Sequence, residues 1–289
     1  MKAAFIGLGA MGAPMARNLH RAGLLAAVCN RTAATAQALA SELGVAHAAT
    51  PADCLSHAEV IFLCVTADEH VLSVIDQLGT TNLAGKLIVD TSTVAAATAR
   101  EALQRVQAAG GHFIDAPVTG GTEGAIHARL TFIIGGDDAD VARAQPGFDA
   151  MGARAVHMGP VGSGQATKAV NQVMCAGINQ AVTEGLAFAE AQGLDPAKVI
   201  AVTESGAAGS WFVQHRGATM VRDEYPPGFK LALHLKDLKI VQAMARDLGG
   251  NLPVVDQTVT QYERLLAEGH GDADISTLYR HNRRLFPAS

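Results

Sequence analysis

Apolar residues in the first 160 positions cluster into short runs with helical stretches between them. Residues 3–6, 25–29, 59–65, 86–90 and 112–115 are near-continuous apolar segments. Runs this short, rich in Val, Ile, Leu and Ala, predict strands buried on both faces, as in a parallel sheet. Residues 33–43, 71–78 and 95–108 space their apolar residues as helices do, and so does the stretch from Gly12 through Met15, Leu19 and Ala22 to Gly23. Residues 130–134 and 155–157 predict two more strands around a helix at 139–151. Alternation of this kind predicts an α/β fold, with a doubly wound Rossmann-type domain over residues 1–161.

The pattern then changes. From about 163 to 191 it is helical with no proline, and between Ala166 and Ala191 the only charged residues are Lys168, Glu184 and Glu190. The remainder reads as helix throughout, with breaks at 193–196, 205–210, 225–228 and 249–253. This predicts an all-α C-terminal domain over residues 162–289, joined to the first by the long helix. The basic end after Leu278, with Arg280, Arg283 and Arg284, reads as a solvated tail.

Composition narrows the classes. Hydrophobic residues make up 49% and charged ones 17%, enough for a sizeable core, and the net charge of -5 supplies no basic footprint for nucleic acid. No uninterrupted apolar run of about 18 residues predicts a membrane span, and the N-terminal run is too short for a signal peptide. Cys29, Cys54, Cys64 and Cys175 are widely spaced and form no metal-type cluster, so no metal and a reduced, cytoplasmic setting are expected.

Candidate chemistry starts at Gly7-Leu8-Gly9-Ala10-Met11-Gly12, a G-x-G-x-x-G between a predicted strand and a predicted helix. In that context the glycines permit a tight turn, the approach of a pyrophosphate and close helix–strand packing, while the helix N-terminus favours the anion. The next strand ends in Asn30-Arg31-Thr32. An NAD-preferring site usually carries an acid there; an arginine beside Asn and Thr suits a 2′-phosphate, so NADP(H) is expected with NAD(H) as the second choice. Arg31 as a plain surface residue is the competing reading. Ligands in such sheets bind beyond the carboxyl ends of strands, which brings Thr66, Ser92, Thr93 and the 117–121 turn into consideration.

Lys168 is the anomaly of the long helix. Lysine is seldom buried without a partner or a task, and Asn171 and Gln172 follow it at i+3 and i+4, on the same face. The bland alternative is a half-exposed helix whose lysine reaches water by its stem.

Together the segments Gly7 to Leu19, Asp90-Thr91-Ser92-Thr93, Asp115-Ala116-Pro117-Val118-Thr119-Gly120-Gly121, Gly162 to Gln172 and Lys236-Asp237-Leu238 resemble the β-hydroxyacid dehydrogenase family over essentially the whole chain. That family includes 3-hydroxyisobutyrate dehydrogenases, tartronate semialdehyde reductases and glyoxylate/succinic semialdehyde reductases. The resemblance implies that Lys168 is the catalytic lysine and Asn171 its companion. It implies substrate contacts from Ser92, Thr119, Gly120, Gly121, Gln172, Phe229 and Asp237. It implies cofactor contacts from the glycine motif, from 30–32, from Val65, Thr66 and Thr93, and from Lys236. The implied partner is a small carboxylate-bearing aldehyde or hydroxy acid, and the implied assembly a homodimer or homotetramer. Thr119 stands where the family usually has serine, Gln172 where it usually has a second asparagine, and Ala128-Arg129-Leu130 where it usually has Gly-Thr-Leu. The Lys-x-x-Asn-Gln pattern matches tartronate semialdehyde reductases. The rival readings are oxidative 3-hydroxyisobutyrate dehydrogenation, an imine reductase, whose lysine position usually holds another residue, and a non-enzymatic scaffold.

Overall fold

A computed structural model describes residues 1–286. The chain divides into two compact units, Met1–Lys168 and Ala169–Ser289.

The first unit is built on one sheet. Its strands are β1 (Ala3–Ile6), β2 (Leu25–Cys29), β3 (Ala46–His47), β4 (Val60–Leu63), β5 (Leu87–Asp90), β6 (His112–Asp115), β7 (Val118–Thr119), β8 (Leu130–Gly135) and β9 (Gly152–Gly159). The helices are α1 (Gly12–Arg21), α2 (Ala33–Leu43), α3 (Asp68–Leu78), α4 (Ala96–Ala108), α5 (Gly121–Ile126) and α6 (Asp138–Met151), with a 3-10 turn at Ala52–Ser56. Strand order is β3-β2-β1-β4-β5-β6-β8-β7, with β9 paired to β8. Strands from β3 to β6 run parallel; β8 is antiparallel to β6 and β7 and parallel to β9. Chain order reverses at β1, which lies between β2 and β4, and that reversal opens the ligand crevice of such sheets.

The apolar runs are explained by burial on both faces. Ala3 and Phe5 of β1 pack with Phe62 and Val89 on one side of the sheet, while Ala4 and Ile6 pack with Ile61, Leu63 and Ile88 on the other. A period-2 structure whose two faces are both dry has no polar alternation to show.

Four features depart from the sequence reading. β3 is two residues long, too short for any period to register. The 117–121 turn contains the short strand β7 and opens α5, because Val118 and Thr119 pair with Phe132 and Thr131 of β8. β9 extends well beyond 155–157. The fourth lies in the helical unit.

That unit holds most of α7 (Ser163–Ala191), then α8 (Pro196–Thr203), α9 (Trp211–Val221), α10 (Leu231–Asp247), α11 (Pro253–Ala267) and α12 (Leu278–Arg283). Leu231, Leu235, Leu238, Val255, Tyr262, Leu265 and Tyr279 form its core. The breaks are capped: Asp195 accepts from Ala197 N ahead of Pro196, and Ser210 accepts from Val213 N. Such caps contribute about 1 kcal/mol each.

The basic end is not a solvated tail. Leu278, Tyr279 and Asn282 are buried, Arg280 pairs bidentately with Asp223, Arg284 pairs with Glu268, and Arg283 reaches Glu190. The apolar face of one short helix holds the segment down, and its arginines find acids distant in sequence.

Candidate active site

The glycine motif lies at the switch point. Gly7 has φ +91 and a Cβ there would meet the Cys64 carbonyl at 2.2 Å; a Cβ on Gly12 would meet the Gly7 carbonyl at 1.9 Å. Both positions exclude any side chain, as a tight turn and a helix pressed on β1 require. Gly9 is different: it is exposed, and a Cβ would meet nothing within 4 Å. That open ground lies ahead of α1, whose first turn receives no side-chain cap, so a pyrophosphate fits the cradle. Ala10 is exposed, Met11 half-buried and Leu8 buried.

At the end of β2 the side chains divide their work. Asn30 Oδ1 accepts from the Leu8 amide at 3.0 Å and its Nδ2 donates to Thr32 O at 3.3 Å, tying the glycine loop to the neighbouring turn. Arg31 and Thr32 are exposed. Arg31 Nη1 lies 3.4 Å from His70 Nε2, and His70 Nδ1 lies 2.9 Å from Thr66 Oγ1. His70, on the first turn of α3, was not singled out by the sequence reading; nothing in its local pattern distinguishes it from a surface residue.

Ser92 is buried just beyond β5. Its Oγ accepts from the Val65 amide at 2.9 Å, and its own amide donates to Asp90 Oδ1 at 2.9 Å. A hydroxyl that accepts from an amide still has its proton to donate. Thr93 and Thr119 are half-buried, Gly120 is exposed, and Gly121 starts α5.

α7 begins on the same sheet edge. Asp115, fully buried at the end of β6, accepts from Gly162 N at 2.7 Å on one oxygen and from Gln165 N at 2.8 Å on the other. Burial pushes its carboxyl up to about 6, against the pull of the amides that bind it. Gln165, 1% exposed, bonds the main chain at Ser92 and Val94. Lys168 follows one turn later and is 7% exposed, so its stem does not carry the ammonium out to water. Neither Asp115 nor Gln165 received a role from sequence. The available signals were an acid closing an otherwise apolar strand and an amide at i-3 from the lysine.

In the helical unit four of the expected residues form one chain of contacts. Asn171 Nδ2 donates to Gln172 Oε1 at 2.8 Å; Gln172 Nε2 donates to Asp237 Oδ2 at 2.6 Å; Lys236 Nζ lies 2.9 Å from Asp237 Oδ1. Gln172 and Asp237 are buried, Asn171 and Lys236 partly so. Phe229 is held by its own amide, which donates to Asp274 Oδ2 at 3.0 Å, and its ring tilts against His234 at 5.2 Å. Among the described residues no group of three or more His, Cys, Asp or Glu is placed to hold a metal, and no helix is long and apolar enough to cross a membrane.

Comparison with known proteins now decides the family. Residues 2–159 match the NAD binding domain of 6-phosphogluconate dehydrogenase, and residues 162–282 match the NAD-binding family of NADP-dependent 3-hydroxyisobutyrate dehydrogenase. The chain belongs to the β-hydroxyacid dehydrogenase family. Such dehydrogenases are NAD(P)-dependent oxidoreductases. The chain is 35% identical over 281 residues to 2-hydroxy-3-oxopropionate reductase of Escherichia coli, covering 96% of each. It is 34% identical over 289 residues to NAD-dependent L-serine dehydrogenase of Pseudomonas aeruginosa, again covering 96% of each. The structure of Mycobacterium tuberculosis 3-hydroxyisobutyrate dehydrogenase with L-serine superposes with a TM-score of 0.88 at 29% identity, covering 98% of this chain and 99% of that one. A Rossmann-type sheet followed by a helical unit is thus the architecture of this β-hydroxyacid dehydrogenase.

Proposed function

We propose that this β-hydroxyacid dehydrogenase is an NADP(H)-preferring reductase of a small carboxylate-bearing aldehyde or keto acid, of the 2-hydroxy-3-oxopropionate, succinic semialdehyde or glyoxylate type. The observation that carries the reading is Lys168, a buried lysine one turn into a helix whose start is bonded to the Ser92 loop. Bound NADP(H) supplies the hydride, or takes it up in reverse. Lys168 gives a proton to the carbonyl oxygen as it becomes hydroxyl, and withdraws it in the oxidative direction; help of this kind is worth on the order of 10²–10⁴ in rate. Ser92 keeps its hydroxyl proton for the substrate carboxylate, together with Thr119 and the amides of Gly120 and Gly121. Asn171, Gln172, Phe229 and Asp237 are assigned to the substrate, and Thr93 and Lys236 to the cofactor. Gly7 to Gly12, Val65 and Thr66 hold the dinucleotide.

Arg31 and Thr32 support the 2′-phosphate: both are exposed, and no acid closes β2. Asn30 acts there through the loop it ties rather than as a phosphate ligand. The second reading is oxidation of a β-hydroxy acid, favoured by the relatives named for L-serine and 3-hydroxyisobutyrate. The deciding experiment measures NADPH and NADH consumption with tartronate, succinic and methylmalonate semialdehydes and glyoxylate, and reduction of NADP+ and NAD+ with L-serine and 3-hydroxyisobutyrate. One semialdehyde preferred with NADPH is the expected result. Turnover confined to NAD+ with a hydroxy acid would replace the reductive reading by the oxidative one.

A homodimer or homotetramer is part of the proposal. Val170, Met174, Ile178 and Phe188 lie on one side of α7 and are 54%, 63%, 41% and 54% exposed, a continuous apolar stripe of the kind a second subunit covers. Sedimentation showing only monomer at micromolar concentration would remove that part.

A further inference from the structure

A proton donor on a helix serves a loop only if helix and loop keep one setting. Here the Gln165 side chain joins them. Gln165 Oε1 accepts from the Val94 amide at 3.1 Å, and its Nε2 donates to the Ser92 carbonyl at 2.8 Å. Ser92 C=O and Val94 N–H are the pair that one edge of an extended segment presents, and a carboxamide, with its own acceptor and donor side by side, matches that pair as a short piece of strand would. The residue is 1% exposed, so neither bond competes with water. Its backbone is fixed as well, since the Gln165 amide donates to Asp115 Oδ2 at the end of the adjacent strand β6. The fit is close: a Cβ on Gly164 would lie 2.5 Å from the Ile133 carbonyl and 2.7 Å from Asp115 Oδ2. Ser92, gripped at its carbonyl, also has its hydroxyl bound to the Val65 amide. One glutamine therefore ties the substrate-side loop to the helix that bears Lys168 three residues on, and Ser92 continues the connection to the Val65 amide beyond β4.

We infer that Gln165 is a positioning residue: it locks the setting of Lys168 on α7 to the Ser92–Val94 loop, so that proton donor and carboxylate loop hold one geometry. The inference rests on the reading of Lys168 as the acid/base group. Two variants separate it from a plain packing role. Gln165→Met fills a similar volume and makes neither bond. Gln165→Glu keeps the acceptor for Val94 but regains a donor toward Ser92 only when protonated. Misplacement of a reacting group by about 1 Å costs about 100-fold, so Gln165→Met loses about 10- to 100-fold in kcat while NADPH affinity, read by fluorescence titration, stays within a few-fold. The activity of Gln165→Glu relative to wild type climbs as pH is lowered from about 8 to about 5.5, across the range where a buried carboxyl takes up its proton, whereas the ratio for Gln165→Met stays flat.

Loss of thermal stability in both variants with unchanged kcat per folded molecule and a flat ratio for Gln165→Glu overturns the proposal. If Gln165→Met does not fold, the pH-dependent recovery of Gln165→Glu carries the test alone. Amide hydrogen exchange on the same proteins needs no substrate: residues 92–96 exchange at least about tenfold faster in Gln165→Met while the β1 amides are unchanged. Unaltered exchange there overturns the lock. Silence of the wild-type enzyme on every aldehyde and hydroxy acid would fall on the proposed reaction instead, and the exchange arm would still decide whether Gln165 holds the loop.

Discussion

The sheet unit and the helical unit build their polar groups in different ways. At the strand ends of Met1–Lys168 buried or partly buried side chains hold backbone: Asn30 takes the Leu8 amide, Ser92 the Val65 amide, Asp115 the amides of Gly162 and Gln165, and Gln165 the peptide edge at 92–94. Between the helices of Ala169–Ser289 buried side chains also hold one another: Asn171 to Gln172 to Asp237 to Lys236, Asn179 to Tyr262, and Gln180 to Thr258 and Gln261, beside main-chain bonds such as those of Asp274 to the amides of Gly228 and Phe229. The cause lies in the backbone. A parallel sheet ends with peptide groups that have lost their ladder partners, whereas a helix satisfies its own groups except at its termini. A site at strand ends can therefore be made from main chain and glycine. A site on helices has to be assembled from side chains.

Substitutions test each side of the contrast. The largest effect is expected at Lys168, where the first unit ends: Lys168→Ala loses about 10²–10⁴ in kcat and keeps its NADPH affinity, measured by single-turnover kinetics and titration. Near-normal turnover would remove the lysine from the chemistry.

Next comes Asp115, because its carboxyl is held at about 6 when folded. A carboxyl that binds its proton more tightly folded than unfolded stabilises the fold fully below its ordinary value near 4, and that contribution is lost as pH rises through about 6. Relative to Asp115→Asn, the wild type should gain up to about 3 kcal/mol of unfolding free energy between pH 7 and pH 4, by denaturant titration at each pH. A constant difference would mean the amides of Gly162 and Gln165 cancel the effect of burial.

Asp237→Ala tests the helical unit. It strips Gln172 and Lys236 of a shared, buried acceptor and should cost about 2–3 kcal/mol, with Asp237→Asn costing less because the contact to Gln172 survives. Equal costs would show that the charge, not the hydrogen bond, matters there. In the sheet unit the equivalent injury is an added carbon. Gly12→Ala should destabilise by about 1–3 kcal/mol and weaken both NADPH and NADH, since its Cβ falls on the Gly7 carbonyl. The smallest effect is expected at Arg31: Arg31→Asp should lower NADPH affinity about tenfold more than NADH affinity, roughly 1.4 kcal/mol. Equal losses would return Arg31 to the surface.

The same contrast explains what could be read in the sequence. The sheet unit was legible because its strands are buried on both faces and because the glycines of 7–12 fall between a strand and a helix. Lys168 was legible as a charge that an apolar helix does not explain. β3 and α5 were not, being two and six residues long and stabilised by pairing with strands already formed. The partners of Gln165 could not be read, because what it binds is main chain, 71 and 73 residues upstream, and main chain leaves no trace in side-chain pattern. The link from Gln172 to Asp237 spans 65 residues, and only the family resemblance brought both into view. The basic end misled for a related reason: Arg280 reaches Asp223 across 57 residues, and the face of α12 that buries Tyr279 and Asn282 is too brief to read as amphipathic.

The Asp115 cap constrains insertion as well as substitution. Each residue turns a helix by about 100° and advances it by about 1.5 Å, so a cap at the first turn sets the phase of every residue after it. One extra residue between Gln165 and Lys168 would leave every side chain in the segment chemically intact and swing the ammonium about a quarter-turn away. The six-residue interval from Gly162 to Lys168 therefore behaves as a ruler. Exchanging residues in this segment can leave the phase of Lys168 intact, whereas changing its length cannot.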